Sequence, residues 1–424
     1  MEHGQEHDVI VVGSGTCGAE IARQLAGQGA RVLVLERGGD PPPAESLFGM
    51  MSMADEVKVG KGLSTLRVLA AGGSSAMYFG VVNQPPLDAF RALGVDLAPE
   101  LETLRAELPI GHLPDEMLGE QSVRLRDAAL SLGLDWRKHE MLIDPAKIVD
   151  RGYTYGALWK AKSLLDEAES RGVQVVRRAL VRDVVSEGGR VTGVRYVHKT
   201  GFGKGREVTV RANRVVMAAG ELATPGLLRA SGLSDVGDRG FYCNPGYALY
   251  GLVPGLEARN NFVGTMGCEI EDGVELGDAN VSRFLYKLMM VGKFKLDRLL
   301  SYPRSIGIGV KVKDGFGGGF TDKGTLHKDF SDQDRARLAT GEREARRILV
   351  EAGATRVVNF GLTVAGRVGG LVRIGDHVDT NLETRLRGLY VCDGSIIPDA
   401  MRGTPTLTLL GFARRLSRHL AVAH

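Results

Sequence analysis

The chain has 424 residues, a formal net charge of +3 and a charged fraction of 25%. That length allows two lobes with cores of their own, and so small a net charge excludes a protein built to grip nucleic acid. A hydrophobic fraction of 43% is that of a globular chain rather than a membrane or disordered one.

Four cysteines, Cys17, Cys243, Cys268 and Cys392, stand apart, without a C-x-x-C or a histidine spacing for a metal. No metal site is expected, and reduced thiols point to the cytoplasm. The first residues run straight into an apolar strand with no signal core, and no later run is long enough to span a bilayer.

The first informative stretch runs from Asp8 to Gly38. An apolar strand, Val9 to Val12, meets the turn Gly13-Ser14-Gly15-Thr16-Cys17-Gly18, then an amphipathic helix to about Gln28, a second strand Val32 to Leu35, and Glu36. In a dinucleotide site Gly13 makes the tight turn, Gly15 lets backbone approach a pyrophosphate, and Gly18 lets helix and strand pack closely. The helix N-terminus favours the anion, and Glu36 stands at the spacing of a carboxylate that accepts from ribose hydroxyls. Arg37 is kept with the cofactor-binding residues, as a solvated neighbour rather than a clamp for the extra phosphate of NADP. Three prolines, Pro41 to Pro43, then take the chain out of the sheet.

A small-residue run follows, Ala70-Ala71-Gly72-Gly73-Ser74-Ser75-Ala76-Met77-Tyr78, whose amides and hydroxyls can surround a phosphate or a flat ring. From Pro85 to Asp150 the pattern loosens into short helical pieces, expected to form a cap or substrate lobe. Helical spacing over Tyr155 to Arg171 ends at Gly172. Strands are expected at Val173 to Val176, Leu180 to Val185 and Val191 to Val197, as a meander turning at Gly188-Gly189. The strand Arg214 to Met217 runs into Ala218-Ala219-Gly220-Glu221-Leu222-Ala223-Thr224-Pro225, a second strand–small-residue–helix junction.

Residues 240 to 313 carry the expected sheet of a second lobe, including the alternating Ser305 to Val312. Within them lies a basic amphipathic segment, 283–300, that reads either as a peripheral membrane or protein contact or as a helix over the substrate cavity with snorkelling lysines. A long helix is expected from Asp329 to Ala352, capped near Ser331 and stopped at Gly353. The chain closes with the strand Gly388 to Asp393, then Gly394-Ser395, and with Thr404 and Pro405 opening a helix to about His419.

These pieces resemble the glucose–methanol–choline (GMC) family of FAD-dependent oxidoreductases. The resemblance rests on Gly13 to Gly18 with Glu36, on Gly72-Gly73-Ser74-Ser75-Ala76, on Ala218-Ala219-Gly220 with Thr224-Pro225, and on Val391 to Ser395 with Pro405-Thr406-Leu407-Thr408. It implies an α/β fold, α+β overall: a Rossmann-like FAD-binding domain with a second, smaller mixed-sheet substrate domain. The FAD-binding domain is expected from residues 1–90, 151–240 and 376–424, and the substrate domain from 91–150 and 241–375. The resemblance puts the adenine dinucleotide on Gly13, Gly15, Thr16, Cys17, Gly18 and Glu36, with Ala219 and Gly220 nearby. It puts pyrophosphate or flavin contacts on Gly72, Gly73, Ser74 and Ser75. Ring or ribityl contacts fall on Asp393, Gly394, Thr404, Pro405 and Thr406, and the adenine meets the backbone of Val181 or Val184. No His precedes the Gly-Gly-Ser-Ser run, so the FAD is expected to be non-covalent.

Alcohol oxidases of the family carry a His in a motif ending Gly-Thr-x-x-Met-Gly, where this chain places Arg367, and an Asn or His before Pro-Thr-Leu-Thr, where it places Thr404. Tyr78 replaces an Asn that follows the Gly-Gly-Ser-Ser-Ala run. An arginine stays protonated and cannot act as a general base at neutral pH. The expected function is hydride transfer between flavin N5 and a small organic substrate, an alcohol, a hydroxy acid or a carbonyl-activated CH–CH. Arg367 would bind a carboxylate or enolate oxygen, with Tyr78, Asp399 or His377 handling the proton and an unidentified electron acceptor closing the cycle. The alternatives are a redox-neutral or light-driven flavoenzyme and a non-catalytic FAD protein acting through 283–300. A plain NAD-dependent dehydrogenase leaves the second and fourth signatures unexplained.

Overall fold

The computed structural model describes residues 7–42, 47–60, 62–150, 152–199, 205–271, 273–321, 323–361, 364–398 and 403–422. A five-stranded parallel sheet holds Val9–Val12 (β1), Val32–Leu35 (β2), Gln174–Val176 (β5), Val215–Met217 (β9) and Leu389–Val391 (β15), in the order β15-β9-β1-β2-β5. Its three central strands are buried along their whole length, which their unbroken apolar runs require of strands covered on both faces. Helices Thr16–Ala26 (α1), Lys162–Ser170 (α5) and Thr406–Val422 (α9) pack together on one side. Beside the sheet lies an antiparallel meander of Ala179–Glu187 (β6), Arg190–His198 (β7) and Arg206–Arg211 (β8).

Two local expectations change here. The strand expected at Val173 to Val176 is not the start of the meander; as β5 it runs parallel to β2 at the edge of the nucleotide sheet. Gly172, at φ 93°, turns the chain straight from α5 back along β2. The helix expected from Tyr155 begins only at Lys162. The intervening residues are drawn elsewhere: the Tyr155 hydroxyl donates to Ala76 O (3.0 Å), Trp159 N to Leu142 O (3.0 Å) and Ala161 N to Ser75 Oγ (3.0 Å).

A nine-stranded mixed sheet forms the second half. Its path runs Ala54–Gly60 (β3), Leu63–Val68 (β4), Val364–Ala365 (β14), Pro245–Leu252 (β10), Ser305–Val312 (β13), Val274–Asp278 (β12) and Met266–Glu271 (β11), ending on Arg137–Lys138, while Thr355–Asn359 also pairs with β10. Period-two alternation gives this sheet two unlike faces. Tyr247, Leu249, Ile306, Ile308 and Val310 enter a core under Glu120–Ser131 (α4) and Asp332–Glu351 (α8). The α8 helix opens with a reciprocal capping box between Ser331 and Asp334, and Gly353 follows its end at φ 82°.

The two cores divide the chain differently from the expected boundaries. Strands β3 and β4 lie before residue 90 yet belong to the second sheet. Phe90, from Leu87–Ala92 (α2), and Leu101 and Leu104, from Ala98–Glu107 (α3), join the nucleotide-side core, whereas Leu125 and Trp136 join the other. The chain therefore crosses after α3, because α3 packs on α9. Among the described residues no helix is long and apolar enough to cross a membrane.

Candidate active site

The site is built where strands of the parallel sheet end. Gly13 leaves β1 at φ +97°, and a Cβ there would lie 2.3 Å from Ala218 O on β9's outgoing loop. Gly18 packs α1 on the same turn, where a Cβ would lie 2.0 Å from Gly13 O. A Cβ on Gly73 would come within 2.8 Å of Gly15 Cα, so the two glycine turns meet backbone to backbone. Such a cradle admits a flat or phosphorylated ligand and no side chains.

A cavity of about 310 Å³ opens over these turns, lined by Gly13, Gly15, Thr16, Cys17, Glu36, Arg37, Gly73, Ser74, Val181, Ala219, Gly220, Asp393 and Gly394. The buried Glu36 accepts from Ser14 N (3.0 Å) and Ser14 Oγ (2.6 Å) at one oxygen and from Gly38 N (2.6 Å) at the other. A carboxylate has further lone-pair sites, so a ribose can still donate to it. Val181 reaches the cavity, whereas Val184 does not and instead donates its N–H to Ser231 Oγ (2.9 Å). Asp393 ties two strand ends together, accepting from Gly220 N (3.0 Å) and from Ser395 N (2.9 Å) and Oγ (2.6 Å). Burial holds its carboxyl above the usual range against those hydrogen bonds.

A second cavity of about 220 Å³ shares Thr16, Leu66, Ser74, Glu221 and Leu409 with the first. Its other wall comes from the mixed sheet and brings in Asn244, Glu275, Lys311 and Arg367, with Ser75, Tyr78, Thr404, Pro405 and Thr406 opposite. The Arg367 guanidinium donates through Nη2 to Asn244 Oδ1 (3.0 Å). Asn244 sits at φ 41° and is anchored in turn, its N–H donating to Asp314 Oδ1 (2.8 Å). Asp314 forms a fully buried ion pair with Lys328 (2.8 Å). Glu275 and Lys311 are cross-strand neighbours on β12 and β13, and Glu275 accepts from Gly403 N (3.3 Å).

The expected catalytic residues separate. Arg367, Thr404 and Tyr78 share the second cavity, but both hydroxyls are engaged. Tyr78 donates to Trp159 O (2.6 Å) and burial pushes its phenol well up, while Thr404 donates to Val81 O. Thr404 is therefore tied to the strand beneath it, and α9 begins at Thr406. His377 lines neither cavity; its Nδ1 accepts from Arg373 N (3.0 Å), and burial, with Arg373 nearby, lowers its pKa. Asp399 lies outside the described residues. Gly72 also lines neither cavity, since a Cβ there would lie 2.8 Å from Lys162 N, and the Ser75 hydroxyl is spent on Gly72 O (2.7 Å) and Ala161 N.

Asn244, Glu275 and Lys311 line the site without any local signal in the sequence. Glu221, the one charge in a small-residue run, is a further residue of the site and lines both cavities. Burial, with Asp393 adding to it, pushes the Glu221 carboxyl up to about 7. Among the described residues no histidine lines either cavity, and no group of three His, Cys, Asp or Glu could hold a metal.

Paired glycine turns and an acid at the second strand define a dinucleotide-binding site, and the continuous cleft onto the mixed sheet fits FAD. The GMC oxidoreductase family model matches residues 152–240. Sinalpyl alcohol oxidase Nec3 of Nesocodon mauritianus is 28% identical over 262 residues, 54% of this chain and 45% of that one. An uncharacterized GMC-type oxidoreductase of Mycobacterium tuberculosis is 31% identical over 254 residues, 53% of this chain and 39% of that one. The matches thus span less than half the length of these two relatives. In structure, pyridoxine 4-oxidase from Mesorbium loti superposes with a TM-score of 0.70 at 18% identity, over 97% of this chain and 99% of that one, and shares its fold. The family model, these relatives and the shared fold together support membership of the GMC oxidoreductase family, whose members depend on FAD.

Proposed function

We propose that this protein is an oxidoreductase that transfers hydride between non-covalently held FAD and a small organic substrate carrying a carboxylate or carbonyl oxygen. The observation that carries this reading is the second cavity, where Arg367, held by Asn244, and Lys311 present positive charge on one wall. Gly13, Gly15, Gly73, Ser74, Glu36 and Asp393 would hold the cofactor, which supplies a two-electron acceptor for hydride at N5. Non-covalent attachment is supported by the absence of histidine from the described cavity walls and by Cys17, whose thiol burial holds well up and protonated.

The chain's own residues orient the substrate and carry its proton. The Arg367 guanidinium can attract a substrate oxyanion, and Val368 and Leu409 keep part of the wall dry. With Tyr78 and Thr404 committed to carbonyls, the proton falls to a wall carboxylate, Glu221 or Glu275. Glu221 is the better matched, because its pKa of about 7 lies near working pH. Four free, buried cysteines support a reducing, cytoplasmic setting.

The test is an anaerobic visible spectrum of the purified protein during titration with hydroxy acids, keto acids, unsaturated acids and uncharged alcohols. A carboxylate-bearing compound is expected to bleach the flavin band, and Arg367→Ala to weaken that compound at least tenfold while FAD stays bound. Bleaching by uncharged alcohols alone, unaffected by Arg367→Ala, overturns the substrate assignment. Cavity walls without histidine among the described residues also favour a second reading, redox-neutral or light-driven chemistry. Product formed with no electron acceptor consumed, and no bleaching, selects it.

A further inference from the structure

The segment 283–300 is used by neither cavity. Its helix, Arg283–Gly292 (α7), lies on the glycine-bearing face of the mixed sheet, the face that also carries Lys311, but at its far end. Tyr286 and Met290 bury themselves against Tyr250, Tyr302 and Phe360. This satisfies one side of the helix and leaves a second apolar side in water. Among the described residues, Leu288, Val291, Phe294, Leu296 and Leu300 are five of the thirteen large apolar side chains left exposed, so more than a third of that surface falls in one short stretch. Phe294 is 89% exposed and Leu300 87%.

Phe294 is held at φ 55°, in the turn that closes α7, with its N–H donating to Val291 O (3.0 Å) and that of Lys295 to Met290 O (2.8 Å). Glycine is the unstrained residue at such a turn. A phenylalanine there costs stability in water and projects a ring from the tip. Lys287, Lys293 and Lys295 surround the patch, and none has an ion pair among the described residues; Arg283, also exposed, lies over the Tyr302 ring (5.4 Å). Asp297 is the sole acid within the segment.

We propose that this face seats on the surface of a lipid bilayer containing anionic headgroups, with Phe294, Leu296 and Leu300 entering the interface and the lysines meeting the phosphates. Interleaving of cations with exposed apolar groups carries the choice of occupant: a protein partner's apolar patch complements the hydrophobic part alone, whereas the headgroup boundary complements both. None of these residues lines either cavity.

The test is co-sedimentation of the full chain, with its cofactor, on phosphatidylcholine vesicles with and without a minority of phosphatidylglycerol. Binding is expected only where phosphatidylglycerol is present, falling as salt rises. At about 1 kcal/mol, or roughly fivefold, per lysine near the surface, changing Lys287, Lys293 and Lys295 together to glutamine weakens it on the order of 100-fold. Phe294→Ser with Leu300→Ser, verified as folded by circular dichroism and retained flavin absorbance, is expected to abolish it. Protein left in the supernatant at low salt overturns the proposal. So does binding that both variants retain, or a dimer on gel filtration that Phe294→Ser splits, which identifies a second copy as the cover.

Discussion

Gly13 and Gly15 stand two residues apart in one turn and do different work, and substitution separates them. At Gly13 a Cβ meets backbone at 2.3 Å with φ +97°, so Gly13→Ala is expected to prevent stable folding. At Gly15 the nearest atom to a new Cβ is 3.9 Å away, so Gly15→Ala is expected to melt within about 0.5 kcal/mol of wild type. The new methyl projects where the pyrophosphate must approach, and flavin affinity, measured by fluorescence titration, is expected to fall at least tenfold. Equal losses of folding and affinity in both variants would show that the turn is only structural. Glu221 offers a pH test with a definite sign. Its carboxyl is raised from an unfolded value near 4.5 to about 7, so the folded chain binds that proton more tightly. The stability this confers is full below pH 4.5 and is lost as pH rises through 7. Glu221→Gln is therefore expected to leave the apoprotein's stability near that of wild type below pH 4.5 and to raise it at pH 8 by about 1–3 kcal/mol, read from its melting point. A lower melting point at pH 8 would sink the assignment.

At the scale of elements, Arg367 is placed by a relay from a buried ion pair. Asp314 and Lys328 have fully buried side chains, Asp314 fixes the backbone N–H groups of Cys243 and Asn244, and Asn244 holds the guanidinium. Removing one member leaves an unpaired buried charge, so Lys328→Met is expected to destabilise by about 3–5 kcal/mol in urea unfolding, with Asp314→Leu added to it recovering part of the loss. Asn244→Gly keeps the φ of 41° and removes only the amide. It is expected to raise KM for the carboxylate substrate severalfold with little change in kcat, since it loosens a binding group; a fall in kcat alone would place Arg367 elsewhere in the reaction. This relay also explains what could be read from the chain. The glycine turns, Glu36 and the strand ends are contiguous motifs whose backbone demands write themselves into consecutive residues. Lys311 and Glu275, by contrast, are ordinary outward positions of alternating strands, and only the register of β12 on β13 makes them one wall. Glu221 was legible in principle, as a charge where the surrounding run is small and apolar. The start of α5 was not, because long-range bonds from Ser75 and Ala76 override helical spacing.

For the molecule as a whole, the cleft is the seam between two cores, and FAD laid along it would touch both. The two tryptophans report on the two sides separately. Trp136 is buried in the core of the mixed sheet, and Trp159 packs against that of the parallel sheet. The Trp136 indole N–H is buried without a partner among the described residues, so Trp136→Phe removes an unsatisfied donor and is expected to be well tolerated. The single-tryptophan variants Trp136→Phe and Trp159→Phe then allow each half's unfolding to be followed by fluorescence in denaturant. With FAD at a hundredfold excess over its dissociation constant, linkage adds about 2.7 kcal/mol to whatever unit must be intact to bind it. If both walls form that unit, the two variants are expected to show one shared midpoint with FAD and to move together when it is removed. If the parallel-sheet half binds FAD alone, only the midpoint reported by Trp159 moves. The cofactor would then be a ligand of one lobe, and the second cavity a surface that the other lobe brings to it.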